Sequence, residues 1–335
     1  MVGAMEMTTL GAGFQVPTLG LGCAGMSGTY GAADEAESIA TIRSAIDSGI
    51  TLLDTADFYG MGHNEMLIGR ALRPGDREKA VLSVKFGGLR GPDLAFRGID
   101  ARPVAVRNFL AYSLQRLGTD YVDIYRPARL DQAVPIEDTI GAIAEMVQAG
   151  HVRGIGLSEV GAETIRRAHA VHPITDVEIE YSLFSRGIED GILATCRELG
   201  IGITAYGVLA QGLLTGTWQP AAGDAGTRAH LPRFAAGNVE ANLTLVEELR
   251  KVAAARGVTV AQLAVAWVLA QGRGHGDIVA LIGAKRPQRI AEALRAADLE
   301  LSNQDLAAIE EAVPRAAVAG GRYAPALLAL LDSER

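Results

Sequence analysis

Residues 50–60, ITLLDTADFYG, hold the key to the fold: an apolar run of strand length stops at Asp54 and gives way to a polar loop. Residues 80–86, AVLSVKF, repeat the pattern and end on Lys85 and a phenylalanine. Ser158, Glu178, Tyr206 and Gly283 also fall at or near the C-terminal ends of short apolar runs, with helical stretches between them. In a parallel (β/α) barrel all such ends open on one rim, where enzymes of that architecture keep their chemistry. Residues far apart in sequence would then converge on one pocket.

The alternation extends along the chain. Residues 7–20, MTTLGAGFQVPTLG, read as a hairpin that caps the bottom of a barrel, with Gly11 and Gly13 in its turn. Strands are expected at 19–23, 50–55, 80–86, 121–126, 152–158, 176–180, 201–206 and 278–283. Helical spacing marks 34–48, 63–72, 103–117, 136–149, 162–170, 189–199, 258–271 and 287–297. Ile39, Ile42, Ala45 and Ile46 share one face of the first helix, Gly49 stops it, and Pro103 suits the start of the third. Alternating strands and helices imply parallel pairing with right-handed crossovers, so the eight units can close into a (β/α)8 TIM barrel of the α/β class. An open doubly wound sheet is the competing arrangement. Residues 207–240 read as a long functional loop, and residues 314–335 as an arm reaching back over the rim.

Composition sets the frame. A chain of 335 residues with 49% apolar content can bury a large core, so a single domain over residues 1–335 is expected. Two cysteines, Cys23 and Cys196, are too few for a disulfide framework and fit a reducing compartment. No apolar stretch approaches a membrane span, and MVGAMEMTTL lacks the features of a signal peptide, so a cytoplasmic protein is expected. A net charge of -8 without a basic run argues against nucleic acid, and an anionic ligand would need a local basic site. Metal-binding spacings of the H-x-x-x-H or C-x-x-C kind are absent from the sequence. Oligomeric state is not legible.

Gly20, Gly22 and Gly25 spell the dinucleotide fingerprint G-x-G-x-x-G, yet MSGTYGA follows where a helix should begin. These glycines are better read as sites of close backbone packing at the barrel mouth. The sharper constellation joins Asp54, Tyr59 and Lys85. A buried lysine needs a partner, and an aspartate supplies one. An ammonium near the Tyr59 phenol would stabilise phenolate and lower a pKa that is about 10 when unperturbed. A structural ion pair beside an ordinary loop tyrosine is the alternative.

With these segments in view, the chain resembles the aldo-keto reductase family. LDTADFYG is similar to its aspartate and tyrosine motif, SVKF to its lysine strand, and GLGCAGMS to its first strand. EYSLFSR, AYGVLAQGLLTG and LIGAKRPQRIAEAL resemble its sixth strand end, its seventh strand and loop, and its last cofactor segment. The likeness runs in order over about residues 7–325 and is greatest to the bacterial NADPH-dependent branch with GLGC-x-GMS in its first strand. It implies a (β/α) barrel and an oxidoreductase that transfers hydride from NADPH to a small-molecule aldehyde or ketone, leaving NADP+.

The resemblance also implies roles. Tyr59 would donate the proton to the carbonyl oxygen, Lys85 would tune Tyr59, and Asp54 would hold Lys85. Tyr206 would stack on the nicotinamide, and Ser158, Glu159 and Glu178 would clamp its carboxamide. The stretch from Gly207 to Gly216, including Gln211, Gly212 and Leu214, would track the pyrophosphate. Gly283, Lys285, Arg286, Arg289 and Glu292 would hold the adenosine end, with Pro287 opening a helix whose N-H groups favour a phosphate. This is the local basic site that the acidic chain otherwise lacks.

Departures from the family pattern stand beside the matches. YRPARLD keeps Arg129 and Asp131 but places Ala128 where the resemblance implies histidine, and losing such a donor costs about 3 kcal/mol of transition-state stabilisation. The remaining histidines, His63, His151, His169, His172, His230 and His275, read as surface or bottom-face residues. Glu178 replaces the usual glutamine, Glu159 a common asparagine and Ala293 another asparagine. A close Glu159 and Glu178 pair would encourage protonation of one carboxylate, or, if ionised, favour the oxidised cofactor. Trp218 is expected near ligand, Trp267 and Cys23 in the core, and Phe58, Phe86 and Phe184 in a substrate pocket. Two rivals remain: a nicotinamide-binding sensor or regulatory subunit with vestigial turnover, and a reductase of C=N or activated C=C bonds.

Overall fold

The chain enters through a hairpin, β1 (Met7–Leu10) and β2 (Phe14–Pro17), paired antiparallel with Met7 opposite Pro17. Its turn passes so close under the barrel that any side chain at Gly11 would strike the carbonyl oxygens of Ile174 and Thr175. Glycine is required there by the approach of two backbones. The structure is a computed structural model and describes residues 5–29, 31–219, 227–329 and 331–335. The first four residues of MVGAMEMTTL and residues 220–226 of the expected 207–240 loop therefore lie outside the described residues.

Eight parallel strands follow the hairpin: β3 (Leu19–Gly22), β4 (Leu52–Ala56), β5 (Val81–Phe86), β8 (Val122–Pro127), β9 (Val152–Ser158), β10 (Ile174–Glu180), β11 (Gly202–Tyr206) and β12 (Ile278–Gly283). They close into a barrel, since β12 pairs with β3 through Ala280 opposite Leu19. The open-sheet alternative is thereby excluded. β6 (Gly88–Arg90) and β7 (Phe96–Ile99) form a separate antiparallel hairpin after β5 that the hydropathy pattern did not disclose. These strands are short and partly exposed, so neither shows the apolar alternation that marks a strand.

Helices α1 (Glu35–Asp47), α2 (His63–Ala71), α3 (Pro103–Leu117), α4 (Ile136–Gln148), α5 (Ala162–Val171), α6 (Ile192–Leu199), α8 (Val260–Gln271) and α9 (Pro287–Ala297) occupy the expected places. Asp34 caps α1 by accepting from the Glu37 N-H at 2.7 Å, and Pro103 and Pro287 open α3 and α9. Three helices lie outside the expected repeat: α7 (Asn238–Ala255), α10 (Asn303–Ala312) and the short α11 (Pro325–Leu328). Much of the expected 207–240 loop is likewise ordered into 3₁₀ turns at Ala210–Thr215, Thr227–His230 and Pro232–Phe234 before α7 begins. Among the described residues no single helix is long and apolar enough to cross a membrane.

Inside the barrel the side chains separate into layers. Leu52, Ile124, Val279 and Leu281 form an apolar floor, closed from below by Leu10 and Val16 of the hairpin. Two residues further along the strands the inward positions become charged: Asp54 above Leu52, Arg126 above Ile124. The alternation of a strand thus lifts the polar residues to the rim side of an apolar plug.

Candidate active site

The charged layer is a continuous network. Lys85 Nζ lies 2.5 Å from Asp54 Oδ1 and 2.9 Å from Glu178 Oε1. Arg126 donates to Glu178 Oε2 at 2.7 Å and to Asp176 Oδ2 at 3.0 Å. Ser83 bridges the layer, donating to Asp54 at 3.1 Å and accepting from Arg126 at 3.0 Å, and Thr204 donates to Asp176. All of these groups are buried, and two cations face three carboxylates. Burial, then the neighbouring Glu178, pushes the Asp54 carboxyl up to about 7 against the pull of Lys85 and Arg126. Burial alone would discharge Lys85, but Asp54 and Glu178 outweigh it and hold the ammonium above the usual lysine range. The lysine is a permanent cation at the floor of the mouth.

Tyr59 stands over this cation, its ring centroid 5.4 Å from Lys85 Nζ and in edge-to-face contact with Phe58 at 5.1 Å. The loop that carries it is pinned to β5, because the Asp57 N-H donates to Lys85 O at 2.9 Å and Gly87 N-H donates to Asp57 Oδ2 at 3.2 Å. Asp57 Oδ1 is buried with no hydrogen-bond partner among the described residues, and burial pushes this carboxyl up to about 7.

Ala128 directly follows β8, 3% exposed, with its N-H donating to Phe86 O at 2.8 Å. Arg129 beside it donates from Nη1 to Ser158 Oγ at 3.2 Å. Asp131 is a turn residue, accepting from the N-H groups of Ala101 and Ala133 at 3.1 Å and 3.0 Å.

The expected Glu159 and Glu178 pair does not form. Glu178 has both oxygens on Lys85 and Arg126, whereas Glu159, at φ 52°, turns to the C-terminal arm. Arg322 of that arm donates to both Glu159 oxygens, at 2.7 Å and 2.5 Å, and Ser333 adds a third bond at 2.7 Å. Burial opposes the Glu159 charge, but Arg322 outweighs it and holds the carboxyl down at about 2. Both carboxylates are thus already engaged by cations of the chain. Separate cations keep them apart. Tyr206 OH also donates to Glu159, at 2.7 Å, and lies 3.2 Å from Tyr323 OH of the arm. Burial, then Glu159, raises the Tyr206 phenol well above the usual tyrosine value.

The opposite flank carries the 3₁₀ turn after β11 and the start of α9. Ala210, Gln211 and Gly212 have consecutive φ values of 46°, 52° and 107°, and the turn is closed by the Ala210 N-H donating to Gly207 O at 2.7 Å and the Gly212 N-H donating to Leu209 O at 2.8 Å. Gln211 Oε1 is buried without a donor among the described residues. Leu214 is fully buried and anchors the same turn, and Gly216 ends it at φ 71°. Gly207, at φ 67°, packs so tightly on Glu180 that a side chain would stand 2.9 Å from Glu180 Cγ. Past β12, Gly283 is open, with nothing within 4 Å of where a side chain would begin. α9 follows with no side-chain cap at its N-terminus, flanked by Lys285, Arg286 and Arg289. Lys285 donates to the carbonyls of Gly31 and Ala32 at 3.0 Å and 3.1 Å, Arg286 lies 3.5 Å from Glu37, and Arg289 pairs with Glu292 at 2.7 Å. Glu292 also accepts from Thr259 Oγ1 at 3.1 Å. Three basic side chains thus gather at the start of α9, each also engaged by a carbonyl or carboxylate of the chain.

Several single residues settle differently from their expected places. Phe86 points outward, stacked on Tyr125 with centroids 4.4 Å apart, because its neighbour Lys85 takes the inward position. Phe184 is buried beneath the arm, its carbonyl held by Arg233. Phe58 remains at the mouth, and Trp218 packs beside Gly212. Gly20 packs closely as expected, but against Leu281 and Leu52 inside the barrel. Burial drives the Cys23 thiol upward, which disarms it as a nucleophile. His63 caps the rim side through Ser27 at 2.9 Å, and none of the six histidines hydrogen-bonds to the charged layer. Among the described residues no group of three or more His, Cys, Asp and Glu side chains could hold a metal. Arg126, Asp176, Asp57, Arg322 and Tyr323 were not singled out from the sequence. The signal for two of them was present: Asp176, Glu178 and Glu180 alternate along a strand flanked by apolar residues, and Arg126 ends another.

Comparison with known proteins agrees with this geometry. A model of the aldo/keto reductase family matches residues 18–314. The probable aldo-keto reductase 1 of Glycine max is 43% identical over 316 residues, covering 93% of this chain and 89% of the plant protein. The glycerol dehydrogenase AKR11B4 from Gluconobacter oxydans superposes with a TM-score of 0.83 at 28% identity, over 92% of this chain and 95% of that one. The holo form of the aldo-keto reductase AKR11C1 from Bacillus halodurans gives a TM-score of 0.76 at 25% identity, over 93% and 97% of the two chains.

Proposed function

This chain belongs to the aldo/keto reductase family, and from that premise we propose that it reduces an aldehyde or ketone to an alcohol with NADPH, using Tyr59 as proton donor. The observation that carries the reading is the buried Lys85 ammonium, held beneath Tyr59 by Asp54 at 2.5 Å and Glu178 at 2.9 Å. A fixed cation next to a phenol stabilises the phenolate left after proton transfer, which lowers the barrier to protonating a carbonyl oxygen. NADPH, when bound, supplies the hydride. The turn from Gly207 to Gly216 and the start of α9 with Lys285, Arg286 and Arg289 would hold its phosphates, and these basic residues favour NADPH over NADH. Ser158, which ends β9, would bond the carboxamide, and Tyr206, which ends β11, would stack on the nicotinamide ring.

Ala128 favours a second reading, a nicotinamide-binding sensor or regulatory subunit with vestigial turnover, because a methyl group stabilises no developing oxyanion. The deciding experiment follows NADPH oxidation at the nicotinamide absorbance over a panel of aldehydes, ketones and cyclic imines. The panel is run with the natural chain, with Tyr59→Phe and with Ala128→His. Turnover that falls about 10² to 10⁴-fold in Tyr59→Phe supports the reductase, and a gain in Ala128→His marks the missing donor as limiting. Tight NADPH binding with no turnover of any carbonyl would favour the sensor, and turnover confined to imines would favour the C=N reductase.

A further inference from the structure

Buried arginines in this protein come with carboxylates. Arg126 has Asp176 and Glu178, Arg233 has Glu180 at 3.3 Å, and Arg322 has Glu159. Arg129 is the departure. Its guanidinium lies inside the mouth, partly open to it, among Tyr59, Tyr206, Tyr323 and Glu159. Its Nη1 donates to the carbonyl of Ala128 at 2.6 Å and to Ser158 Oγ at 3.2 Å. No carboxylate stands within 4.0 Å of it among the described residues, and Nε and Nη2 make no hydrogen bond to them. Glu159, the acidic group of this surround, already accepts from Arg322, Ser333 and Tyr206.

A largely desolvated guanidinium with no carboxylate in contact and two nitrogens unbonded among the described residues has donors left for an anion, which a ligand site can use. The cofactor would not neutralise this one, since its phosphates are assigned to the flank after β11 and β12 and its carboxamide is neutral. The counter-charge is left to the substrate. One guanidinium carries one charge in a planar fork, which matches a carboxylate better than a phosphate dianion. We infer that Arg129 binds a substrate carboxylate, so that the preferred substrates are carbonyl compounds bearing a carboxylate within a few bonds of the reacting carbon. The inference rests on carbonyl reduction at Tyr59 and adds the substrate class. Arg129 here acts as a specificity residue, two positions past the end of β8 and next to the small, apolar Ala128.

The test compares kcat/KM for 4-carboxybenzaldehyde and 4-methylbenzaldehyde, which differ in charge and little in shape, in the natural chain, Arg129→Met and Arg129→Lys. Benzoate binding to the NADPH-loaded proteins is measured in parallel by calorimetry, and thermal unfolding confirms that each variant is folded. The expected result is a preference for the carboxylated aldehyde that collapses by roughly 30-fold or more in Arg129→Met, is largely kept in Arg129→Lys, and is accompanied by loss of benzoate binding in Arg129→Met. An unchanged ratio in Arg129→Met, or benzoate binding insensitive to it, overturns the inference while leaving the reductase reading intact. If neither aldehyde is turned over but benzoate binds in an Arg129-dependent way, the assignment of Arg129 stands and the reductase reading fails.

Discussion

Lys85 Nζ stands 2.9 Å from Glu178 Oε1, so the lysine beneath Tyr59 answers to a second carboxylate besides Asp54. Glu178 in turn is held by Arg126 at 2.7 Å, and both are fully enclosed. The glutamate found where the family pattern has glutamine is therefore matched by an arginine on the neighbouring side of the barrel. Removing either partner strands a buried charge. Glu178→Gln and Arg126→Met are each expected to destabilise the fold by about 3–5 kcal/mol. The double variant should lose clearly less than the sum, and urea unfolding of the four proteins measures the difference. Additive losses would show that the two side chains are not coupled.

Asp57 makes a prediction with a definite sign. Burial pushes its carboxyl up to about 7 from the ordinary 3.8, so between those values the native state holds a proton that the unfolded chain has released. Stability should fall as pH rises through that window and level off above it. Asp57→Asn removes this contribution, and its melting temperature should drop less than that of the natural chain between pH 5 and pH 8. Asp54, also raised to about 7, keeps part of the slope. Identical slopes in both proteins would rule out a buried, protonated Asp57.

Glu159 behaves in the opposite sense. Arg322 holds its carboxyl down at about 2 from the ordinary 4.5, which stabilises the fold above 4.5 and is lost as pH falls toward 2. Arg322→Ala should cost about 3–5 kcal/mol near neutrality, and the deficit should shrink on acidification. Because Arg322 ties residues 322–335 to the rim, protease should cut the arm of this variant sooner. A deficit independent of pH would mean that Arg322 acts through packing alone.

Cofactor choice can be read at the start of α9. Lys285→Ala and Arg289→Ala should each weaken NADPH binding by about 10-fold, the worth of one charge-assisted hydrogen bond, and leave NADH binding nearly unchanged. Titration of nicotinamide fluorescence gives both constants. Equal losses for the two cofactors would place the 2'-phosphate elsewhere.

The barrel was legible because its signals are local. Short apolar runs, helical spacing and prolines at helix starts each occupy one stretch of chain, and the run-ending residues Asp54, Lys85, Ser158 and Tyr206 could be placed near one rim from alternation alone. The hairpin β6–β7 and helices α7 and α10 were not, because β6 and β7 lack a clean apolar alternation and the two helices lie outside the strand-helix repeat. Phe86 was misplaced for a simpler reason. Adjacent strand residues face opposite ways, and Lys85 already held the inward side.

What the sequence by itself determined is the class of fold, the family pattern and the identity of the residues at the strand ends. What only the tertiary structure decided is which charges meet. Glu159 and Glu178 look like a pair in the linear chain, yet one is paired across the barrel with Arg126 and Lys85 and the other with Arg322, 163 residues away. Arg126 and Arg129 are only three positions apart at one strand end, but the first is paired with two carboxylates and the second has none within 4.0 Å among the described residues. Electrostatic partnership depends on distances of a few ångströms and on burial, and neither is encoded at any single position of the chain.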